Sequence, residues 1–265
     1  MVYRQTIIEN TGVKSDEFLP GYSHDDGLRF DKNDPINQMM EIMAVFLIKI
    51  GNIIDAKTIL DVGSGSGALS YYLRKIEPTL KVVTLDGNQG IINSPFIDKD
   101  KHFIVRTDQE YKIVDENNEI VKFDLIVSFE HLEHIQEENF EQFLKNIFNH
   151  SHKNSIFFGT AATWNYEKEE EKHIHCNVKN VPEWRTFLEE ENQHLFSAGS
   201  IHDLNYQMAH IQEYGTLPPH SSKILADICR DLLVLSRKDD EDTVAKKLNW
   251  SHRLNASVLI ILGYG

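Results

Sequence analysis

Residues 128–135 read S-F-E-H-L-E-H-I, which packs glutamates and histidines into one short stretch. Three kinds of chemistry fit it. A histidine, whose pKa lies near neutral pH, can take the proton of a hydroxyl while a group transfers to the oxygen, and His131 and His134 are both candidates. Alternatively, Glu130, Glu133 and His134 fall at i, i+3 and i+4, so a tight helical turn would put all three on one face as metal ligands. In the third reading Glu133 and His134 cap and anchor a helix start and touch no substrate. Downstream, K-H-I-H-C-N places His173 and His175 together, as further base candidates or as a further ligand. His-x-His-Cys invites zinc, yet no second ligand pair at zinc spacing follows.

Upstream lies D-V-G-S-G-S-G-A, Asp61 to Ala68. Glycines at 63 and 65 let a backbone turn sharply and approach a ligand closely. Gly63-x-Gly65-x-x-Ala68 satisfies a dinucleotide fingerprint, so an NAD-dependent enzyme is one reading. Charge argues otherwise. A dinucleotide brings a pyrophosphate, which the carboxylate of Asp61 would oppose. S-adenosylmethionine carries an ammonium and a sulfonium and no phosphate, and an acid beside the loop suits it. Asp86 then ends V-V-T-L-D-G, where a carboxylate can accept both ribose hydroxyls, with Gly87 beside it. Asp108 ends F-I-V-R-T-D, where it could accept from an adenine amino group.

These residues need elements to hold them. Residues 36–54 carry a broad apolar face from Met39 to Ile50 and predict a helix. Thr58–Val62 predicts a strand, and 68–76 a helix leaving the glycine turn. Further strands are expected at 81–87, 102–108, 123–129 and 155–160. Phe140, Phe143, Leu144, Ile147 and Phe148 repeat at helical spacing. Short apolar strands alternating with helices argue for a parallel α/β sheet covered on both faces. Residues 182–192 look helical, with Trp184 and Phe187 packing onto the sheet, while Trp164 and Tyr166 could line a cavity or serve the structure. D-L-L-V-L-S-R (231–237) reads either as a closing strand or as the end of a helix from Ser222, and A-S-V-L-I-I-L (256–262) as another closing strand.

I-L-D-V-G-S-G-S-G-A-L-S, V-V-T-L-D-G-N, F-I-V-R-T-D and F-D-L-I-V-S-F-E-H-L-E-H-I together resemble the class I S-adenosylmethionine-dependent methyltransferases, over roughly residues 36–160. The resemblance implies an α/β, Rossmann-like fold: a mostly parallel seven-stranded sheet, helices on both faces, an antiparallel last strand and a C-terminal segment over the substrate. It implies that Asp61, Gly63, Gly65 and Gly67 hold the methionine part of the cofactor, Asp86 the ribose and Asp108 the adenine side. Glu130 would face the cationic methionine end or shape the loop. One domain is expected over 1–265, with a lid segment at 1–34, a cofactor core at 35–160 and acceptor-specific parts at 161–265.

Residues 173–184, H-I-H-C-N-V-K-N-V-P-E-W, are similar to a segment of methyltransferases that act on sugars and small natural products. The leading expectation is therefore methyl transfer to a hydroxyl of a small polar acceptor, with His131, His134 or His175 as base and no metal. Glu-x-x-Glu-His with a later His also resembles the small-RNA 3′-end 2′-O-methyltransferases, which hold a divalent ion with such a set; here that set would be Glu130, Glu133, His134 and His175. A module that binds cofactor without catalysis is the third possibility. The chain of 265 residues has 41 acids against 27 Lys and Arg, a net charge of −14, which disfavours nucleic acid as a partner. No apolar run is long enough for a membrane span, the start lacks a signal-peptide pattern, and Cys176 and Cys229 cannot build a disulfide framework. A cytoplasmic location is expected. The acceptor and the oligomeric state are not legible.

Overall fold

Short apolar runs along the chain become the strands of one sheet. The computed structural model describes residues 4–6, 35–161, 175–180, 183–184, 186–187, 196–200 and 232–237. In chain order these form β1 (Arg4–Thr6), α1 (Pro35–Ile54), β2 (Thr58–Val62), α2 (Ala68–Ile76), β3 (Lys81–Asp86), β4 (His102–Ile104) and β5 (Lys112–Val114). They continue with β6 (Phe123–Ser128), α3 (Phe140–Asn149), β7 (Ser151–Thr160), β8 (Phe196–Ser200) and β9 (Leu232–Arg237). Among the described residues no helix is long and apolar enough to cross a membrane.

The sheet runs in the order β4-β3-β2-β6-β7-β9-β8. β4, β3, β2, β6 and β7 are parallel neighbours, and β9 is antiparallel to both β7 and β8. After β2 the chain builds outward through β3 and β4, then returns to place β6 on the other side of β2. Such a reversal opens a crevice beyond the carboxyl ends of the two central strands. Asp61 of β2 lies in register with Thr84 of β3 and Val127 of β6, so the ends of these strands reach the crevice together.

The helices cover this sheet with the faces their periodicity dictates. Ala68, Leu69, Tyr72 and Leu73 are buried on α2, and Phe140, Phe143, Leu144 and Ile147 on α3. Leu60, Leu85, Phe123, Phe143 and Phe157 belong to one continuous core. Trp184 and Phe187 join it against Phe140, with ring centroids 5.7 and 5.0 Å away, as expected from the sequence.

Several elements differ from expectation. The strand expected at 102–108 stops at Ile104, because the Arg106 carbonyl accepts the Gln109 N–H and turns the chain. β7 begins at Ser151 rather than 155, with an irregularity of register opposite Phe123 and Leu125. Residues 232–237 form a strand, which settles the choice left open between strand and helix. β1 and β5 pair in a separate two-stranded sheet that three-residue runs could not announce. The strand expected at 256–262, the histidine at 173 and the aromatics at 164 and 166 lie outside the described residues.

Candidate active site

The glycine loop follows β2 and is laced to the end of β3. The N–H groups of Gly63 and Ser64 both donate to the Leu85 carbonyl at 2.9 Å, and the Gly65 N–H donates to Asp86 Oδ2 at 2.9 Å. Gly63 and Gly65 sit at φ +73° and +52°, where a side chain is strained. A methyl group built at Gly65 would meet no atom within 4 Å, so the loop leaves open space there. Gly67, at φ +79°, ends the loop as the N-cap of α2.

Two acids flank this open loop. Asp61 is 2% exposed and accepts the Ser70 hydroxyl at 2.7 Å. Burial pushes its pKa up to about 7, and the Asp86 charge adds to the rise. Asp86 also accepts the Asn88 N–H at 2.8 Å, and burial raises it to about 6. Gly87 follows it, and a methyl group built there would lie 3.5 Å from the Val105 carbonyl oxygen. Asp108 stands on the loop after β4, where it pairs with the Arg106 guanidinium at 2.7 Å and accepts Asn139 Nδ2 at 3.2 Å.

β6 ends at Ser128, whose hydroxyl donates to the Val62 carbonyl at 2.8 Å and ties the two central strand ends together. Glu130 then takes a left-handed φ of +49°. Its N–H donates to Thr160 Oγ1 and its carboxylate accepts the same hydroxyl at 2.7 Å, so it is turned toward the end of β7. A strained non-glycine residue at a strand end is a frequent mark of a functional turn. His131 lays its ring on Gly63, with Nε2 2.8 Å from Thr107 Oγ1. Burial, with the neighbouring His134, drives its pKa down to about 3.

The next turn, Leu132–His134, buries Glu133 to 1% exposure. His134 Nε2 lies 3.9 Å from Glu133 Oε1, and His175 Nε2 lies 4.0 Å from the same oxygen. The two imidazoles meet edge to face, 5.0 Å between centroids. His175 arrives because the Asn177 N–H donates to the Glu133 carbonyl at 3.0 Å, while Lys179 anchors the segment on Glu137 at 2.6 Å. The structure thus brings Glu133, His134 and His175 together, with possible ligand atoms within 4.8 Å of one another. Glu130 and His131 stand outside this trio.

A family model described as a methyltransferase domain matches residues 36–209. The chain belongs to this methyltransferase family. The resemblance to class I enzymes and the Rossmann-like fold expected from the sequence both hold. The plantazolicin methyltransferase BpumL in complex with SAH superposes with a TM-score of 0.51 at 13% identity, over 78% of this chain and 87% of that one. Its complex with a pentazolic desmethylPZN analog and SAH gives 0.50 at 14% identity, over 78% and 88%. An O-methyltransferase family protein from Burkholderia thailandensis gives 0.47 at 12% identity, and the chain, with 81% of its own length aligned, spans only 57% of that protein. No curated protein matches the sequence.

The methyltransferase crevice fits S-adenosylmethionine by its donor set. Buried acids near neutral pKa, Asp61 above all, gain from an incoming cation, because the cation restores the charged form that burial penalises. The open space at Gly65 leaves room for a ligand to approach the loop. Thr107, Asn139, Asn146 and Thr160, which hold the loops in place, carried no motif. Asn146 lies off the apolar arc of α3, so periodicity gave no hint that it is fully buried.

Proposed function

We propose that this methyltransferase moves a methyl group to a hydroxyl oxygen of a small polar acceptor, a sugar or a secondary metabolite. The observation that carries the reading is the buried Glu133 carboxylate with the His134 and His175 imidazoles at 3.9 and 4.0 Å. When bound, S-adenosylmethionine supplies an electrophilic methyl on a cationic sulfur. One imidazole would take the proton of the acceptor hydroxyl as the C–O bond forms and the methyl–sulfur bond breaks, with neutral S-adenosylhomocysteine as the leaving group. Glu133 stabilises the imidazolium that results and orients the ring. His131 suits the base role poorly, since its proton affinity is held so low.

Asp61 and the glycines at 63, 65 and 67 hold the methionine part, Asp86 with Gly87 the ribose, and Asp108 the adenine side. Glu130 shapes the turn beside the methionine end through Thr160. Acceptor choice belongs to residues 1–34 and 161–222, outside the cofactor core.

A second reading rests on the same trio. Two imidazoles and a carboxylate within 4.8 Å are a donor set for zinc or a first-row transition metal. Of the four ligands that the RNA-type resemblance implies, Glu133, His134 and His175 converge, and Glu130 is engaged by Thr160 instead. The net charge of −14 weighs against an RNA acceptor.

One assay separates these readings. Protein stripped with EDTA is incubated with labelled S-adenosylmethionine and an extract of small hydroxylated metabolites. Full label transfer without divalent ions supports the imidazole base. Transfer that vanishes and returns with manganese, cobalt or zinc supports the ion. A protein that binds the cofactor but labels nothing under either condition refutes both.

A further inference from the structure

His131 has geometry of its own. A methyl group built at Gly63 would sit 2.3 Å from His131 Cγ, so the ring packs directly against one side of that glycine. The far side of the ring reaches Thr107 Oγ1 at 2.8 Å. Thr107 belongs to the loop after β4, immediately before Asp108, and is 5% exposed. The same loop is gripped from below by α3. Asn146, fully buried, donates from Nδ2 to the Thr107 carbonyl at 3.0 Å and to the Gln109 carbonyl at 2.7 Å. Its Oδ1 accepts Gln142 Nε2 at 2.9 Å, which fixes the amide's orientation. One side chain therefore holds the carbonyls on both sides of Asp108.

A buried amide costs free energy that an apolar residue at the same helical position would not. Its satisfied hydrogen bonds go to a cofactor-facing loop, which implies that the position of that loop is what the amide secures. We infer that His131, Thr107 and Asn146 form a rail that sets the spacing between the glycine loop and the Asp108 loop before the cofactor arrives. All three are positioning residues. Preorganisation of this kind acts on affinity, because the ordering cost has been met in advance. The inference rests on the class I cofactor reading of the crevice.

Calorimetric titration with S-adenosylhomocysteine tests it, run beside thermal melts and turnover at saturating cofactor. Thr107→Val removes only the hydroxyl and should weaken binding about fivefold to tenfold, the scale of one lost hydrogen bond. Thr107→Ser, which keeps the hydroxyl, should bind within about twofold of the parent. Turnover at saturation should hold within about twofold for both. His131→Asn should weaken binding likewise. If the parent binds S-adenosylhomocysteine and Thr107→Val binds it equally well, the rail is refuted while the cofactor reading stands. If His131→Asn loses turnover with affinity intact, His131 is a base and the rail is refuted again. If the parent binds none, the cofactor reading fails and the rail fails with it.

Discussion

The Asn177 N–H donates to the Glu133 carbonyl across 3.0 Å, and that bond delivers His175 to a carboxylate far from it in the chain. Glu133, His134 and His175 meet where two segments share this backbone contact, with Lys179 on Glu137 holding the same segment. The members of this trio can therefore be tested directly and through the contact.

His134→Ala and His175→Ala should each lower turnover, the one that serves as base by about 100-fold. Affinity for S-adenosylhomocysteine should stay near the parent value. Asn177→Pro, which deletes the donor, should reproduce much of the His175→Ala loss. Steady-state kinetics with a labelled donor measure this. If every variant keeps more than about a third of the activity, the trio is not catalytic.

Asp86→Ala should weaken S-adenosylhomocysteine binding by roughly 1.5–3 kcal/mol, the scale of losing a charged hydrogen-bond partner. The same change frees the Gly65 N–H, so part of the loss comes from the loop itself. Calorimetry decides, and an unchanged affinity places the ribose elsewhere.

Asp61 predicts a trade between stability and function. Its folded pKa of about 7 exceeds the ordinary carboxylate value. The folded chain keeps a proton that the unfolded chain releases, so the group's stabilising contribution is whole below about pH 4 and is lost as pH rises through about 7. Asp61→Asn cannot ionise and still offers Ser70 an acceptor. It should gain on the parent as pH rises, by ~1–3 kcal/mol at about pH 8, while losing cofactor affinity. Melting curves between about pH 5 and 8 check the sign. A variant less stable than the parent at the alkaline end contradicts the burial argument.

His150 acts in the opposite direction. Its Nε2 accepts the Ile113 N–H at 3.0 Å, its Nδ1 faces the Asn146 carbonyl at 2.8 Å, and burial lowers its pKa to about 4. The unfolded chain binds a proton here that the folded chain refuses, so this contribution is present above about pH 6.5 and lost as pH falls toward 4. His150→Phe keeps an aromatic against Tyr111 but strands the Ile113 N–H, at a cost of ~1–3 kcal/mol near neutral pH. The gap to the parent should narrow in urea titrations at about pH 5. A gap that widens in acid runs against a neutral buried ring.

Much of this fold was legible because its signals are local. Helical and strand periodicity placed α1, α2, α3 and the central strands, since burial of one face acts within each element. The turn at Gly63 and Gly65 was legible for the same reason, as only glycine tolerates those φ values cheaply, and Asp61, Asp86 and Asp108 stood out as acids at or near the ends of β2, β3 and the apolar run that begins with β4. Tertiary structure decided what distant backbone contacts decide. The chain's return placed β6 beside β2 and so aimed S-F-E-H-L-E-H-I at the glycine loop. There, side chains a few residues apart parted company: His131 turned onto Gly63 and Thr107, Glu130 turned to Thr160, and Glu133 with His134 waited for His175. Spacing along a sequence limits which groups can share a face. Which of them meet depends on segments that only folding brings alongside, because a hydrogen bond or a buried charge is settled by its partner in space.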